Sequence, residues 1–230
     1  MIENHSNKSS KHAGFTLIEL MTAVAVMAIL ALLSWRGLDN MTQVQSQTQI
    51  RTDGVMALQS GLAQWQAYLD ATWENPQTPS INALDFDGQV LKMVRRFTEN
   101  GTEQLRVVAW AMRGSEGKPQ WLRWQSERLQ TRADLLNAWL LASQWAKTPT
   151  DDSKKNELVI AAIDKWDLRY MHDQDKSWSN ALSTGNAVIP GTLQMKLPKG
   201  VRLMLTLTKG QALEGEIIRD WVRPSFGGTN

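Results

Sequence analysis

The chain reads as α+β. One long N-terminal helix, apolar enough at its start to enter a membrane, is expected to pack on a C-terminal antiparallel β-sheet domain that carries one extra helix. Three observations predict this. An apolar run lasts from Phe15 to Leu33, interrupted only by Thr16, Glu19 and Thr22. Beyond it, apolar residues recur mostly at spacings of three and four as far as Leu69, with Gln-rich polar faces between them, which is the helical signature. After Pro79 the pattern changes to short strand-like runs punctuated by turn residues.

The first element is preceded by a polar stretch, residues 1–14, in which Lys8 and Lys11 stand against Glu3. Positive charge tends to hold such a segment on the cytoplasmic side of a membrane. Roughly 20 apolar residues cross a bilayer as a helix, so 15–35 is the expected transmembrane part, ending around Ser34-Trp35-Arg36-Gly37. The helix is expected to continue outside the membrane over 36–74, through Leu38, Met41, Val44, Ile50, Val55, Met56, Leu58, Leu62, Trp65 and Leu69. Its first break is Asn75-Pro76, with Pro79 close behind, which places the end near Ala71–Glu74. Counted from Phe15, that is about 57 residues, or roughly 85 Å at 1.5 Å per residue. Gly37, Gly54 and Gly61 are expected to bend or loosen it, at up to about 1 kcal/mol each relative to alanine. The half beyond the membrane should lay its apolar stripe on the globular domain.

That domain is expected over 75–224, with a loose tail at 225–230. Leu84 to Phe97 holds an Asp87-Gly88 turn signal. Leu105 to Met112 reads as a strand that pairs, through the turn Gly114–Pro119, with Trp121-Leu122-Arg123-Trp124 as a hairpin. Thr131 to Ala146 departs from the β pattern: Thr131 or Asp134 can cap a helix whose apolar residues are Leu135, Leu136, Trp139, Leu140 and Trp145. Residues 147–156 read as a polar surface loop. Strands are expected again at Leu158–Ile163, Trp166–Met171, Val201–Thr208 and Ala212–Val222, the last two joined by a turn at Lys209-Gly210.

Composition narrows the function classes. The 230 residues carry a formal charge of +2. Loss of the first 14 leaves 216 residues at +1, because that stretch holds two Lys and one Glu. So even a balance offers no electrostatic footprint for nucleic acid. Cysteine is absent, so neither a disulfide nor thiol chemistry is available. Of the three histidines, His5 and His12 lie before Gly14, which leaves His172 alone, too few for a Ser-His-Asp triad with spare members or for the usual structural zinc sites. His172 reads as a solvated loop residue. Asp85-Phe86-Asp87-Gly88 and the group Asp164, Asp167, Asp173 and Asp175 read as turn chemistry, short of the oxygen ligands a calcium loop needs. No metal, no cofactor and no catalytic residue is expected. Eleven tryptophans are accounted for by core packing, with Trp110, Trp121, Trp124, Trp166 and Trp221 all in expected strands. The basic pairs Arg95-Arg96 and Lys154-Lys155 read as solvated surface.

One residue resists all of this. Glu19 is a lone carboxylate inside the membrane-compatible run, where an ionised side chain costs several kcal/mol and usually marks function. A secretory signal is cut after its apolar core, near small residues; Ala23, Ala25, Ala28 and Ala31 offer such residues, but their flanks have the wrong pattern. A plain single-span anchor has no need of the hexapeptide Gly14-Phe15-Thr16-Leu17-Ile18-Glu19. That hexapeptide, after a short basic leader and before an apolar helix, resembles the processing site of type IV prepilins and of the pseudopilins of type II secretion. The resemblance implies a pilin-like fold and cleavage by prepilin peptidase between Gly14 and Phe15. It further implies N-methylation of the new Phe15 amine, and a Glu19 carboxylate that pairs with the amine of a neighbouring subunit during assembly. Cleavage there leaves the apolar helix on the mature chain.

Three further regions resemble the J-type minor pseudopilin. They are Ser34-Trp35-Arg36-Gly37-Leu38-Asp39 at the membrane edge, Trp166-Asp167-Leu168-Arg169-Tyr170 with Ser177-Trp178-Ser179, and Gly200 to Leu207 with the strand 219–224. What this resemblance implies is an assembly subunit with no catalysed reaction. It would sit in the inner membrane as a single-pass protein with its domain in the periplasm. Its partners would be the I- and K-type minor pseudopilins and the major pseudopilin, at the tip of a periplasmic pseudopilus. Lack of cysteine leans the same way, since many major type IV pilins close a loop with a disulfide. Two alternatives stay open: a minor pilin of a type IV pilus, working in adhesion, motility or DNA uptake, and a membrane-anchored periplasmic hydrolase built on carboxylates.

Overall fold

Helix α1 covers Leu17–Asp70, 54 residues without interruption, and ends one residue ahead of the predicted range. In the computed structural model residues 15–74, 81–115, 118–172, 177–184 and 197–224 are described; the expected leader 1–14 and tail 225–230 lie outside them. The last turn of α1 is closed by Thr72, whose hydroxyl donates to the Tyr68 carbonyl at 3.0 Å and whose N–H donates to the Leu69 carbonyl at 3.2 Å. There the chain passes into a single bridge between Thr72 and Arg95.

Two units divide the chain, one through Ile50 and one from Arg51. In the first, every side chain from Phe15 to Ile50 is exposed. Within the second, α1 buries Leu58, Gly61, Leu62, Trp65, Tyr68 and Leu69, a stripe at i, i+3, i+4 and i+7. The expected stripe was longer. Leu38, Met41, Val44, Ile50 and Met56 stay exposed, because periodicity marks an apolar face without saying whether anything covers it. Gly61 also departs from expectation. A Cβ there would overlap the Cγ2 methyl of Ile160, so the glycine serves close approach of helix and sheet rather than loosening.

The sheet is antiparallel throughout. Its strands are β1 (Leu84–Phe86), β2 (Val90–Glu99), β3 (Thr102–Ser115), β4 (Lys118–Gln125), β5 (Glu157–Met171), β6 (Ser179–Asn180), β7 (Gly200–Leu207) and β8 (Gly215–Val222). The order is β1-β2-β3-β4-β5-β7-β8, with β6 on β5. The Asp87-Gly88 signal is the β1–β2 turn, Gly88 sitting at φ 90° while Asp87 Oδ1 accepts from the Gln89 and Val90 N–H groups at 2.9 Å. Asn100 and Gly101, at φ 51° and 75°, form the two-residue β2–β3 turn that such an Asn-Gly pair favours. Where two strands were expected over 158–171, β5 is one strand. Its polar Asp164-Lys165 step is absorbed as an irregularity after Ile163, where β5 changes partner from β4 to β7.

Two layers cover the sheet in this unit. On one face Leu91, Met93, Val108, Trp110, Trp121, Leu203 and Leu205 meet the stripe of α1. Phe86 of β1 lies edge-on to Trp166 of β5 at 5.4 Å, although β2, β3 and β4 intervene, so the sheet curls around the end of α1. Trp221 of β8 completes the grip by donating its indole N–H to Asp70 at 2.7 Å. On the other face lies α2 (Arg132–Lys147), the expected extra helix, with Thr131 as N-cap and Asp134 completing a capping box. Its Leu135, Ala138, Ala142 and Trp145 pack on Val90, Val107, Ala109 and Leu122. Two four-residue helices accompany it, α3 (Asp151–Lys154) and α4 (Ala181–Thr184). The first corrects the loop expected at 147–156: Thr150 and Ser153 form a capping box and wind a single turn there. All five strand tryptophans singled out by sequence are buried, and Trp110 stacks on Trp121 at 4.8 Å between centroids.

Candidate functional site

The start of α1 is built by two residues. Thr16 precedes the helix, and its carbonyl accepts the first helical bond, from Leu20 N–H at 3.2 Å. Glu19, three residues on, reaches back: its Oε2 accepts from the Thr16 N–H at 3.0 Å and from the Thr16 hydroxyl at 2.8 Å. Glu19 N–H in turn points to Thr16 Oγ1 at 3.4 Å. This is a reciprocal capping box, satisfying donors that a helix start leaves orphaned. Thr16 was not singled out as a site residue from sequence, although the Thr-x-x-Glu spacing carries the signal.

Thr22 also finds its partner within the helix, donating its hydroxyl to the Ile18 and Glu19 carbonyls at 3.0 Å. Internal pairing of this kind is what a helix start in lipid would require. α1 is the one described helix long and apolar enough to cross a membrane, by length and composition. Phe15 precedes the helix in non-helical backbone and is 87% exposed. Gly14 lies outside the described residues. Phe15 and Glu19 are thus brought to one end of one helix, with the carboxylate already held by Thr16.

The other residues weighed in the sequence have structural surroundings. Asp85 pairs with the buried Lys92 at 2.9 Å, and Lys92 also donates to Ser143 Oγ and lies over the Trp139 ring, which ties α2 to the sheet. Burial raises the Asp87 carboxyl, but hydrogen bonds from Val90 and Gln89 and the charges of Lys147 and Lys92 outweigh it and hold it below its ordinary value. Asp164 accepts from the Thr208 hydroxyl at 2.7 Å, and Asp167 from Leu168 N–H at 2.9 Å. Asp173 and Asp175 lie outside the described residues. His172, expected in a solvated loop, is half-buried with its ring edge-on to Tyr170. Among the described residues no three His, Asp or Glu side chains gather as a metal-ligand set.

The basic pairs divide. Lys154 and Lys155 are exposed and face Asp151 and Asp152 on their own helical turn. Arg96 is exposed and pairs with Glu103 at 3.6 Å. Arg95, by contrast, is half-buried and stacks on Tyr68 at 4.2 Å. Alternation explains the split, since consecutive strand residues face opposite sides of the sheet.

Comparison with known proteins bears on the helix start. Residues 9–35 match the family model described as the prokaryotic N-terminal methylation motif. No curated protein matches the chain. The matched span holds Lys11, the Gly14–Phe15 junction, Glu19 and the apolar run, and it supports a type IV prepilin-like protein, whose N-terminal apolar helix fits membrane anchoring.

Proposed function

We propose that this chain is a minor pseudopilin of a type II secretion system, most similar to the J-type. Prepilin peptidase cuts between Gly14 and Phe15, and the freed Phe15 amine is methylated. The mature subunit stays in the inner membrane through residues 15–35, with 36–74 and the β-rich domain 75–224 in the periplasm. Assembly with the I- and K-type minor pseudopilins and the major pseudopilin then places it at the pseudopilus tip. It catalyses no reaction of its own.

The observation that carries this reading is the Glu19 carboxylate, seated in the first turn of α1, in its exposed apolar part and inside the matched methylation motif. Capping the helix start needs no full charge, since a Gln serves at that position as well as a Glu, whereas a subunit that docks beside another's amine gains an ion pair for a charge that is costly in lipid. The lack of cysteine supports the pseudopilin over the disulfide-closed pilins.

A strain lacking the gene tests the proposal, with extracellular enzyme secretion and surface pili scored side by side. Lost secretion with intact pili is the expected outcome. Lost pili or twitching with normal secretion would instead make the protein a minor pilin.

A further inference from the structure

Two arginines stand directly opposite each other in the sheet. Arg95 of β2 is the cross-strand partner of Arg106 of β3, and like charges so placed are destabilising. A third, Arg123 of β4, joins them from the position paired with Trp110. Two rings tie the group together: Arg95 and Arg123 lie 4.2 and 5.9 Å from the Tyr68 centroid, and Arg95 and Arg106 lie 5.4 and 4.3 Å from that of Phe97.

The surroundings leave the charge uncompensated. Arg123 donates to Tyr68 Oη at 2.9 Å and to the neutral Gln64 Oε1, and Arg95 donates to the neutral Gln125 Oε1 at 3.4 Å. Among the described residues no carboxylate pairs with any of the three. Arg96, Arg113, Arg128 and Arg202, on the same sheet or its flank, each have one. All three Nε atoms are withdrawn from solvent without an acceptor. Burial is the first cause that lowers the Arg95 pKa from its ordinary value, and the charges of Arg106 and Arg123 add to it against an opposing contribution from Tyr68.

We propose that Arg95, Arg106 and Arg123 form a docking point for an acidic segment of a partner protein, one of whose carboxylates is received among the three guanidinium groups. Guanidinium forks match a carboxylate with two parallel, charge-assisted hydrogen bonds. The same anion offsets the repulsion within the Arg95–Arg106 pair. Single-stranded nucleic acid is disfavoured, because stacking of bases needs open aromatic faces and the arginines occupy those of Tyr68 and Phe97. An anionic bilayer is disfavoured too, since lipid surfaces are met by clusters of about 4–8 exposed Lys and Arg, not by three half-buried arginines. This inference stands apart from the helix-start chemistry and does not depend on it.

The test uses the full chain in detergent micelles and fluorescein-labelled hexaglutamate, read by anisotropy. Wild type should bind the peptide, and Arg95→Gln/Arg106→Gln should bind about tenfold more weakly or worse, as expected when charge-assisted bonds are lost. Arg96→Gln, on the opposite face, should bind as wild type does. Arg106→Gln breaks no hydrogen bond within the described residues, so it carries the comparison if the double variant fails to fold. Without peptide its melting temperature should equal or exceed that of wild type, whereas a merely structural cluster would melt lower. Absence of hexaglutamate binding by wild type overturns the proposal, as does undiminished binding by a folded variant. Arginine-dependent binding of phosphatidylglycerol vesicles or of a single-stranded oligonucleotide, without competition from hexaglutamate, overturns it as well.

Discussion

At the scale of single residues, Glu19 and Thr16 act as a pair. The carboxylate closes its own helix through the Thr16 N–H and hydroxyl, so any docking role must draw on a group already in use. Glu19→Ala is expected to leave processing largely intact and to reduce assembly. Thr16→Val should have the milder effect, since the backbone N–H of residue 16 still reaches the carboxylate. Immunoblots of processed chain and of sheared filament would read both, and full complementation by Glu19→Ala would remove the proposed role. Asp87 gives a pH prediction. Its carboxyl is held below the ordinary value in the fold, so the unfolded chain binds the proton more readily. Its contribution is therefore present above the unfolded value, about 4, and is lost as pH falls through the folded one. Asp87→Asn keeps the turn acceptor and drops the charge. Its denaturation profile should lose less stability than wild type on acidification, and an identical profile would contradict the assignment.

At the scale of elements, the glycines of α1 separate by neighbourhood. Gly54 has open space around the position of a Cβ, while at Gly61 the stiff Ile160 side chain occupies it. Alanine is favoured over glycine in a helix by about 1 kcal/mol, but overpacking costs about 1–3 kcal/mol. Gly54→Ala should therefore raise the melting temperature and Gly61→Ala lower it; an increase in both would mean that helix and sheet can part to admit a methyl. Helix α2 shows how local and global signals agree. Thr131 and Asp134 box its start, and the small Ala138 and Ala142 let it approach the alanine-lined outer face of β3. Nothing local marked α3 as helical except the Thr-x-x-Ser spacing that caps it.

At the scale of the molecule, the buried part of α1 begins at Leu58, so the unit from Arg51 holds its own core. A fragment covering 51–230 should be soluble without detergent and unfold in one cooperative transition, followed by calorimetry. Two separate transitions would mean that the α1 and α2 faces of the sheet are independent. Lys92 of β2, which pairs with Asp85 and donates to Ser143 of α2, and Arg113 of β3, which donates to the Trp145 carbonyl, tie the α2 layer to the sheet and argue for a single one.

The sequence by itself determined the helix, its membrane-compatible start, the methylation-motif match over residues 9–35, most strands and the capped α2, because each is written in local chemistry: a run of apolar residues, a glycine or proline at a turn, a Thr-x-x-Asp spacing. Only the tertiary structure decided which part of the apolar stripe is covered, that β5 runs through Asp164-Lys165 as one strand, and that Gly61 makes room for Ile160. It also decided the fate of the arginines. Arg95 looked like its neighbour Arg96, and Arg106 and Arg123 lie 11 and 28 residues further along the chain. Strand register and the curl of the sheet around Tyr68 bring the three together, and pairing between distant strands leaves no mark in any one of them.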